Sequence, residues 1–185
     1  MKTAFQSVAS FAGVGLVFLY AIGAAKWTTT GSSWYRSLNA PSWQPPDFIF
    51  GIIWPYNFVI LGVAAVTVAN RLSTPKVITC LSIFALSVIC ALTWSYQFYG
   101  PHNLGLASLA LIGTAVLTIP MLFFIYQASL AVFIATLPYQ IWVIIASYLS
   151  STYAKLNEFL LRWADFDRKM AKTKATTTNA LSPSS

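Results

Sequence analysis

Apolar residues in this chain fall in long unbroken runs, without the alternation of a half-buried strand or the one-sided stripe of a soluble amphipathic helix. Five runs, at 5–25, 48–70, 77–99, 104–126 and 129–153, each reach the roughly 20 residues a helix needs to cross a bilayer. The connections between them are short. This pattern predicts an all-α membrane protein, a bundle of five transmembrane helices forming one domain over residues 1–157. Past residue 153 the pattern changes. Leu156, Phe159, Leu160, Trp163 and Phe166 recur at helical spacing, while Glu158–Arg162 and Asp165–Lys169 are spaced for i,i+4 pairs. A basic amphipathic extension, along the membrane surface or against the bundle, is expected over 158–172. Residues 173–185 have little apolar surface to bury and are expected to be disordered.

The stretch 34–62, WYRSLNAPSWQPPDFIFGIIWPYNFVILG, is the one around which the rest is organised. Pro41, Pro45 and Pro46 fix their own φ and push Ala40 and Gln44 towards extended conformations, so its first third is read as a non-helical loop. Trp34, Tyr35 and Trp43 make that loop unusually aromatic. After Pro46 the second span begins, with Asp47 placed as N-cap or in the first turn. A stiff aromatic loop running into a membrane helix suggests a lid, formed by Pro41, Pro45 and Pro46, over a pocket.

Composition supports the membrane reading: 57% of residues are hydrophobic and 8% charged, against about 25% charged in ordinary globular domains. The first run exceeds the 7–15 apolar residues of a signal-peptide core, so it is expected to persist as the first helix. Cys80 and Cys90 lie on one helix roughly 15 Å apart and cannot bridge each other. Five spans put the termini on opposite sides. Lys26, Arg36, Lys155, Arg162, Arg168 and Lys169 fall near one membrane face and Lys2, Arg71 and Lys76 near the other. The positive-inside rule then places the first loop and the C-terminus in the cytoplasm. These flanks, with Lys172 and Lys174 further along the tail, carry all 11 Lys and Arg behind the net charge of +7, and no nucleic-acid partner is expected.

Depth follows from a rise of about 1.5 Å per residue. Trp54 lies roughly 10 Å below the cytoplasmic end of its helix, Trp94 at a similar level and Trp142 nearer the midplane. Trp27, Trp34 and Trp163 suit an interfacial belt. The deeper three suit either a pocket wall or ordinary core packing, because an indole N–H at that depth needs a polar partner. Pro55, Pro120 and Pro138 each leave a carbonyl one turn earlier without its helical donor. No span interior carries Asp, Glu, Lys, Arg or His, which disfavours a proton- or ion-coupled transporter. His102, in the loop GPHN, is either an exposed loop residue or an axial ligand for a haem iron. Neither a catalytic constellation nor a metal cage is expected, and no cofactor is obligatory. Leu149, Tyr153 and Lys155 satisfy a loose sterol-contact pattern, and Ser87 with Ala91 forms a small-xxx-small pair of the kind that serves dimers.

These residues resemble the TspO/MBR family, the tryptophan-rich sensory or translocator proteins (peripheral benzodiazepine receptors). The resemblance rests on Trp34, Tyr35, Leu38, Pro41, Trp43, Pro45, Pro46 and Trp54 without a gap, and continues through Gly62. Trp94, Phe98, Gly100 and Asn103 extend it, as do Pro138, Tyr139, Trp142, Ala146, Leu149 and Asn157. It implies a TspO-like five-helix bundle, usually a homodimer, with a cytoplasmic C-terminus. Its first loop would close over a pocket for porphyrins, haem, sterols, or isoquinoline and benzodiazepine drugs. The ligand-binding residues implied are Tyr35, Trp43, Trp54, Phe58, Trp94, Phe98, Trp142 and Ala146. Light-dependent porphyrin breakdown in some members would make Trp54 and Trp142 catalytic. An asparagine–tryptophan pair often seen in the third helix is here Ala91–Leu92, a second-helix tyrosine is Phe58 and a fifth-helix asparagine is Ser150, which leaves fewer hydrogen-bonding groups on the pocket. Three functions remain open: a receptor for tetrapyrroles acting in homeostasis, stress signalling or transport, a porphyrin-degrading enzyme, and a non-specific transporter.

Overall fold

The computed structural model describes the backbone at residues 4–30 and 32–181, and side chains at 4–28, 33–157 and 170. Its helices are α1 (Ala4–Thr30), α2 (Ser32–Ser37), α3 (Asp47–Arg71), α4 (Thr74–Tyr99), α5 (Leu104–Ala128) and α6 (Leu130–Leu181). Five of them are long and apolar enough to cross a membrane: all but the short α2. Among the described residues there is no strand. Each expected span is present, and the helices overrun the runs by a few residues at most ends. Helices are the economical solution here, since a backbone polar group facing hydrocarbon has no water to bond.

Two local expectations are corrected. The chain around Trp34 is not a loop but the short helix α2. The prolines restrict only themselves and the residues just before them, so residues 32–37 keep the freedom to form a turn of helix. The tail also differs: the α6 backbone stays helical through Leu181, past the expected boundary at 173. Extending a formed helix adds a hydrogen bond per residue without a new nucleation cost. The Glu158–Arg162 and Asp165–Lys169 pairs, and the side chains of Phe159, Leu160, Trp163 and Phe166, lie outside the described residues, as do residues 182–185.

Lipid tails are as apolar as leucine, so burying apolar surface does not by itself hold membrane helices together; close shape fit and hydrogen bonds do. The bundle divides accordingly into two halves. Away from α2, the helices meet on small side chains: Ala9, Ala64, Ala69, Cys80, Ala91 and Ala128 are buried there. A Cβ added to Gly13 of α1 would sit 2.6 Å from the Ala65 Cβ of α3, so only glycine permits that approach. Hydrogen bonds between helices accompany this packing. Asn70 Nδ2 donates to Ser10 Oγ at 3.1 Å, Gln140 Nε2 to the Ala115 carbonyl at 3.0 Å, and the Tyr56 hydroxyl to the Ala135 carbonyl at 2.6 Å. Ser87 and Ala91 are enclosed within the bundle, and Thr114 Oγ1 bonds the Ser87 carbonyl. Their small-xxx-small pair therefore packs helices of one chain and presents nothing to a second copy. Both cysteines are free, Cys80 buried and Cys90 half-buried.

Towards α2 the packing material changes from alanine to aromatics. Trp34, Tyr35, Phe50, Trp94 and Tyr99 surround buried Phe98 and Tyr153. Rings of this size hold the helices apart at one end, while small residues draw them together at the other.

The Gly13→Ala variant is expected to lose roughly 1–3 kcal/mol of stability through overpacking against Ala65. Gly15→Ala, whose added methyl meets nothing within 4 Å, is the matched control and should be neutral or slightly stabilising. Thermal unfolding in detergent separates the two; equal melting temperatures would mean that α1 does not approach α3 as described.

Candidate functional site

Beneath α2 and the following loop lies a void of about 510 Å³, counting the part that opens outward. Its walls are Trp54 and Phe50 from α3, Trp94, Phe98 and Tyr99 from α4, and Trp142, Ala146, Leu149, Ser150 and Tyr153 from α6. Thr28 and Tyr35 close the top. The three deep tryptophans thus converge from three helices. Depth alone had left them open to core packing; the side chains on the inward faces of α3, α4 and α6 turn them onto one void. Phe50 meets Trp142 edge-on at 5.2 Å, and Trp94 lies 5.8 Å from Phe98. Such edge and tilted pairs contribute about 0.5–1.5 kcal/mol each beyond burial. Flat apolar molecules fit between walls of this kind.

Polar groups in the chamber are few and neutral. Trp94 Nε1 donates to Ser150 Oγ at 3.2 Å, and Ser150 is bonded to Ser108 Oγ at 3.1 Å. Trp142 Nε1 has no partner. Among the described residues, charge appears only at a side cleft that shares Thr28, Tyr35, Phe50, Trp54 and Tyr99 with the chamber and adds Arg36, Asp47, Gly51 and Pro55. This cleft, about 1090 Å³ including the space outside, gives the chamber a lateral mouth with one cation and one anion on its rim.

The loop after α2 is latched to α6. The Asn157 carboxamide brackets Asn39 in the loop: its Oδ1 accepts from the Asn39 amide at 2.9 Å and its Nδ2 donates to the Asn39 carbonyl at 3.1 Å. One turn earlier the Tyr153 hydroxyl is bonded to Gln44 Oε1 and lies 3.2 Å from the Tyr35 hydroxyl. Pro41 is buried, Pro45 half-buried and Pro46 exposed. The loop's stiffness therefore comes from proline, and its position from Tyr153 and Asn157.

Other expected site residues lie elsewhere. Trp43 is 41% exposed and stacks on the outward-facing Tyr148 at 5.0 Å, outside the chamber. Phe58 stacks on Trp54 at 5.7 Å but faces Tyr20, on the α1 side, and lines a groove between α1 and α3. His102 stacks on Trp34 at 3.8 Å with planes 12° apart and does not line the chamber. Its φ of 62° is left-handed, a turn conformation that lets Asn103 cap α5 through Leu106. Loss of solvation pushes the His102 imidazole below its ordinary pKa, while a hydrogen bond with the Tyr99 backbone opposes the shift. The sterol pattern is split: Leu149 and Tyr153 are buried on the chamber and Lys155 is exposed. Among the described residues no group of His, Cys, Asp and Glu could hold a metal.

Sequence reasoning missed Asn57, which is buried at 1% exposure one turn below Trp54. Its signal was there, an amide inside an apolar run, but attention to ionisable groups passed over it.

The TspO/MBR family model matches residues 13–156 of this chain. The tryptophan-rich protein TspO of Chlorobaculum tepidum is 30% identical over 148 residues, covering 78% of this chain and 92% of that protein. Protein CrtK of Rhodobacter capsulatus is 28% identical over 128 residues, covering 68% and 79%. The human translocator protein is 26% identical over 124 residues, covering 65% and 72%.

Replacing Asn157 by Leu removes both bonds to Asn39, worth about 0.5–1.5 kcal/mol each. Hydrogen exchange at the Asn39 amide should accelerate at least severalfold without loss of the helical signal; unchanged exchange would show that the latch does not hold the loop. His102 is expected to titrate below about 6.5 in an NMR pH series. Because the folded state favours the neutral ring, the stability this site contributes is complete above that pH and declines as pH falls. A midpoint above the free-histidine value would contradict the stacked, desolvated ring.

Proposed function

The chain belongs to the TspO/MBR family, and from that premise we propose that it is a multi-pass membrane receptor for flat apolar ligands, tetrapyrroles first, held in the chamber beneath the lid. The observation that carries this reading is the convergence of Trp54, Trp94 and Trp142 from three helices on one void. Its lining is mostly aromatic and aliphatic with a few neutral polar groups, the make-up of small-molecule sites. A porphyrin or haem plane would lie against the indoles, and its acidic edge would face Arg36, the one cation on the rim of the side cleft among the described residues. Sterols and planar drug-like molecules share the apolar requirement. Capture of this kind suits tetrapyrrole homeostasis, stress signalling or transport. The excess of Lys and Arg beside α2 and in the C-terminal part of α6 supports a cytoplasmic lid and C-terminus. A homodimer would form through lipid-facing side chains, because Ser87 and Ala91 are enclosed.

A second reading has its own support. Trp54 and Trp142 both face the void, and indoles in contact with a photoexcited porphyrin can serve as electron donors. Light-dependent degradation would then be catalysed by these two rings.

Titration of the purified protein with protoporphyrin IX, followed by its visible absorption, tests both readings. Saturable binding to the wild type is expected, and its absence would remove the receptor. A Trp54→Phe, Trp142→Phe double variant should bind within roughly threefold of wild type, since an aromatic wall remains. If the chemistry is real, light-driven bleaching disappears in that variant. Bleaching at the wild-type rate would eliminate the enzymatic reading.

A further inference from the structure

Below the chamber lies a second, smaller void, about 260 Å³ counting any part that opens outward and with room for roughly one water, lined in part by Trp54, Trp94, Trp142 and Ala146, which also line the chamber. Its remaining wall includes Asn57 and Tyr139. Both are almost wholly enclosed, at 1% exposure each. Neither the nitrogen nor the oxygen of the Asn57 carboxamide has a hydrogen-bond partner, nor does the Tyr139 hydroxyl, nor the Trp142 indole nitrogen. Ser87 neighbours the Tyr139 hydroxyl without reaching hydrogen-bond geometry. Four unpartnered polar atoms around one void is far from the norm for buried groups. In a bilayer no bulk water relieves them from outside.

We propose that this floor is a neutral hydrogen-bonding site for one uncharged oxygen atom. The oxygen is a water when the chamber is empty and a carbonyl or hydroxyl oxygen of an occupant when it is filled. The donor inventory selects that chemistry. Asn57 offers two N–H donors and Trp142 one, while Tyr139 can donate or accept. A carbonyl oxygen accepts two of these bonds. A water accepts two and can also donate to the Asn57 oxygen, which meets the two to four partners a buried water requires. Among the described residues no charged side chain lines the void, so a carboxylate would be desolvated there without a counter-charge. Asn57 is thereby a specificity-determining residue: it favours a ligand that enters with a neutral oxygen leading and leaves any acidic edge at the mouth. The occupant half of this proposal rests on the chamber being a ligand site; the water half does not.

Two measurements test it. In the ligand-free protein, the ¹⁵N-labelled indole resonance of Trp142, assigned through Trp142→Phe, should lie where hydrogen-bonded indoles lie and move upfield in Asn57→Leu. An unbonded position in the wild type, or a resonance indifferent to Asn57→Leu, overturns the water half. The second measurement compares two flat probes of one shape, 9-fluorenone, with a carbonyl oxygen, and fluorene, without it. The wild type should favour fluorenone, and Asn57→Leu should lower the affinity ratio by roughly five- to tenfold, the loss expected for about one neutral hydrogen bond. Taking the ratio cancels the partitioning of each probe into detergent. A ratio unchanged by the substitution overturns the occupant half while leaving the chamber reading intact. If neither probe binds the wild type, the occupant half falls together with the receptor reading, and the indole resonance still decides the floor by itself. Asn57→Leu replaces an unpaired amide with an apolar group of similar volume and so does not threaten folding. Tyr139→Phe provides a second variant that should lower the ratio in the same direction.

Discussion

The structure depends on one constraint: helices in lipid are held together by fit and by internal hydrogen bonds, because apolar burial offers no advantage over contact with the acyl chains. Side-chain size along each helix therefore decides where the bundle closes and where it opens. Ala64, Ala65 and Ala69 of α3, with Gly13 of α1, let backbones approach in one half. Phe50 and Trp54 of the same α3 prevent that approach in the other. The chamber is the space left when aromatic side chains from three helices meet without filling the gap between them. No insertion or extra domain is needed to create it, only a gradient of residue volume along membrane-length helices.

The same constraint shapes the polar groups. Gln140 is bonded to the Ala115 carbonyl and to Thr118, and Asn70 Nδ2 to Ser10, although Asn70 Oδ1 has no partner. Asn157 uses both ends of its carboxamide on the loop backbone. Asn70 Oδ1 and Ser95 Oγ are unpartnered singly, whereas the unpartnered groups of Asn57, Tyr139 and Trp142 cluster around one void where the chamber ends. Charge is kept to the rim, at Arg36 and Asp47. The site accordingly has three zones of rising polarity cost: an ionic mouth, an aromatic wall and a neutral floor.

The spans were legible from the sequence because hydropathy over 20 residues is an unambiguous signal in a chain with 8% charge. The height of Trp54, Trp94 and Trp142 was legible as well, since rise per residue is constant in a helix. Direction was not. Each span is apolar on every side, so periodicity gives no face, and it could not tell Phe58, turned towards Tyr20, from Trp54, which reaches the chamber. Trp43 lies in the proline-rich coil, where no helical repeat constrains a side chain, and it stacks outside on Tyr148. Prolines also say less about upstream residues than a loop reading assumes, which is how the α2 helix escaped notice. The latch joins residues 118 positions apart, and separations of that size leave no local trace.

The central claim is that three of the seven tryptophans face one ligand chamber. Fluorine NMR of protein labelled with 5-fluorotryptophan, titrated with protoporphyrin IX, reads each ring separately through the ring current of the bound macrocycle. The account predicts that the resonances of Trp54, Trp94 and Trp142 shift together and saturate at one ligand concentration, while Trp43 stays in place. A shift at Trp43 with the three chamber rings unmoved would contradict it.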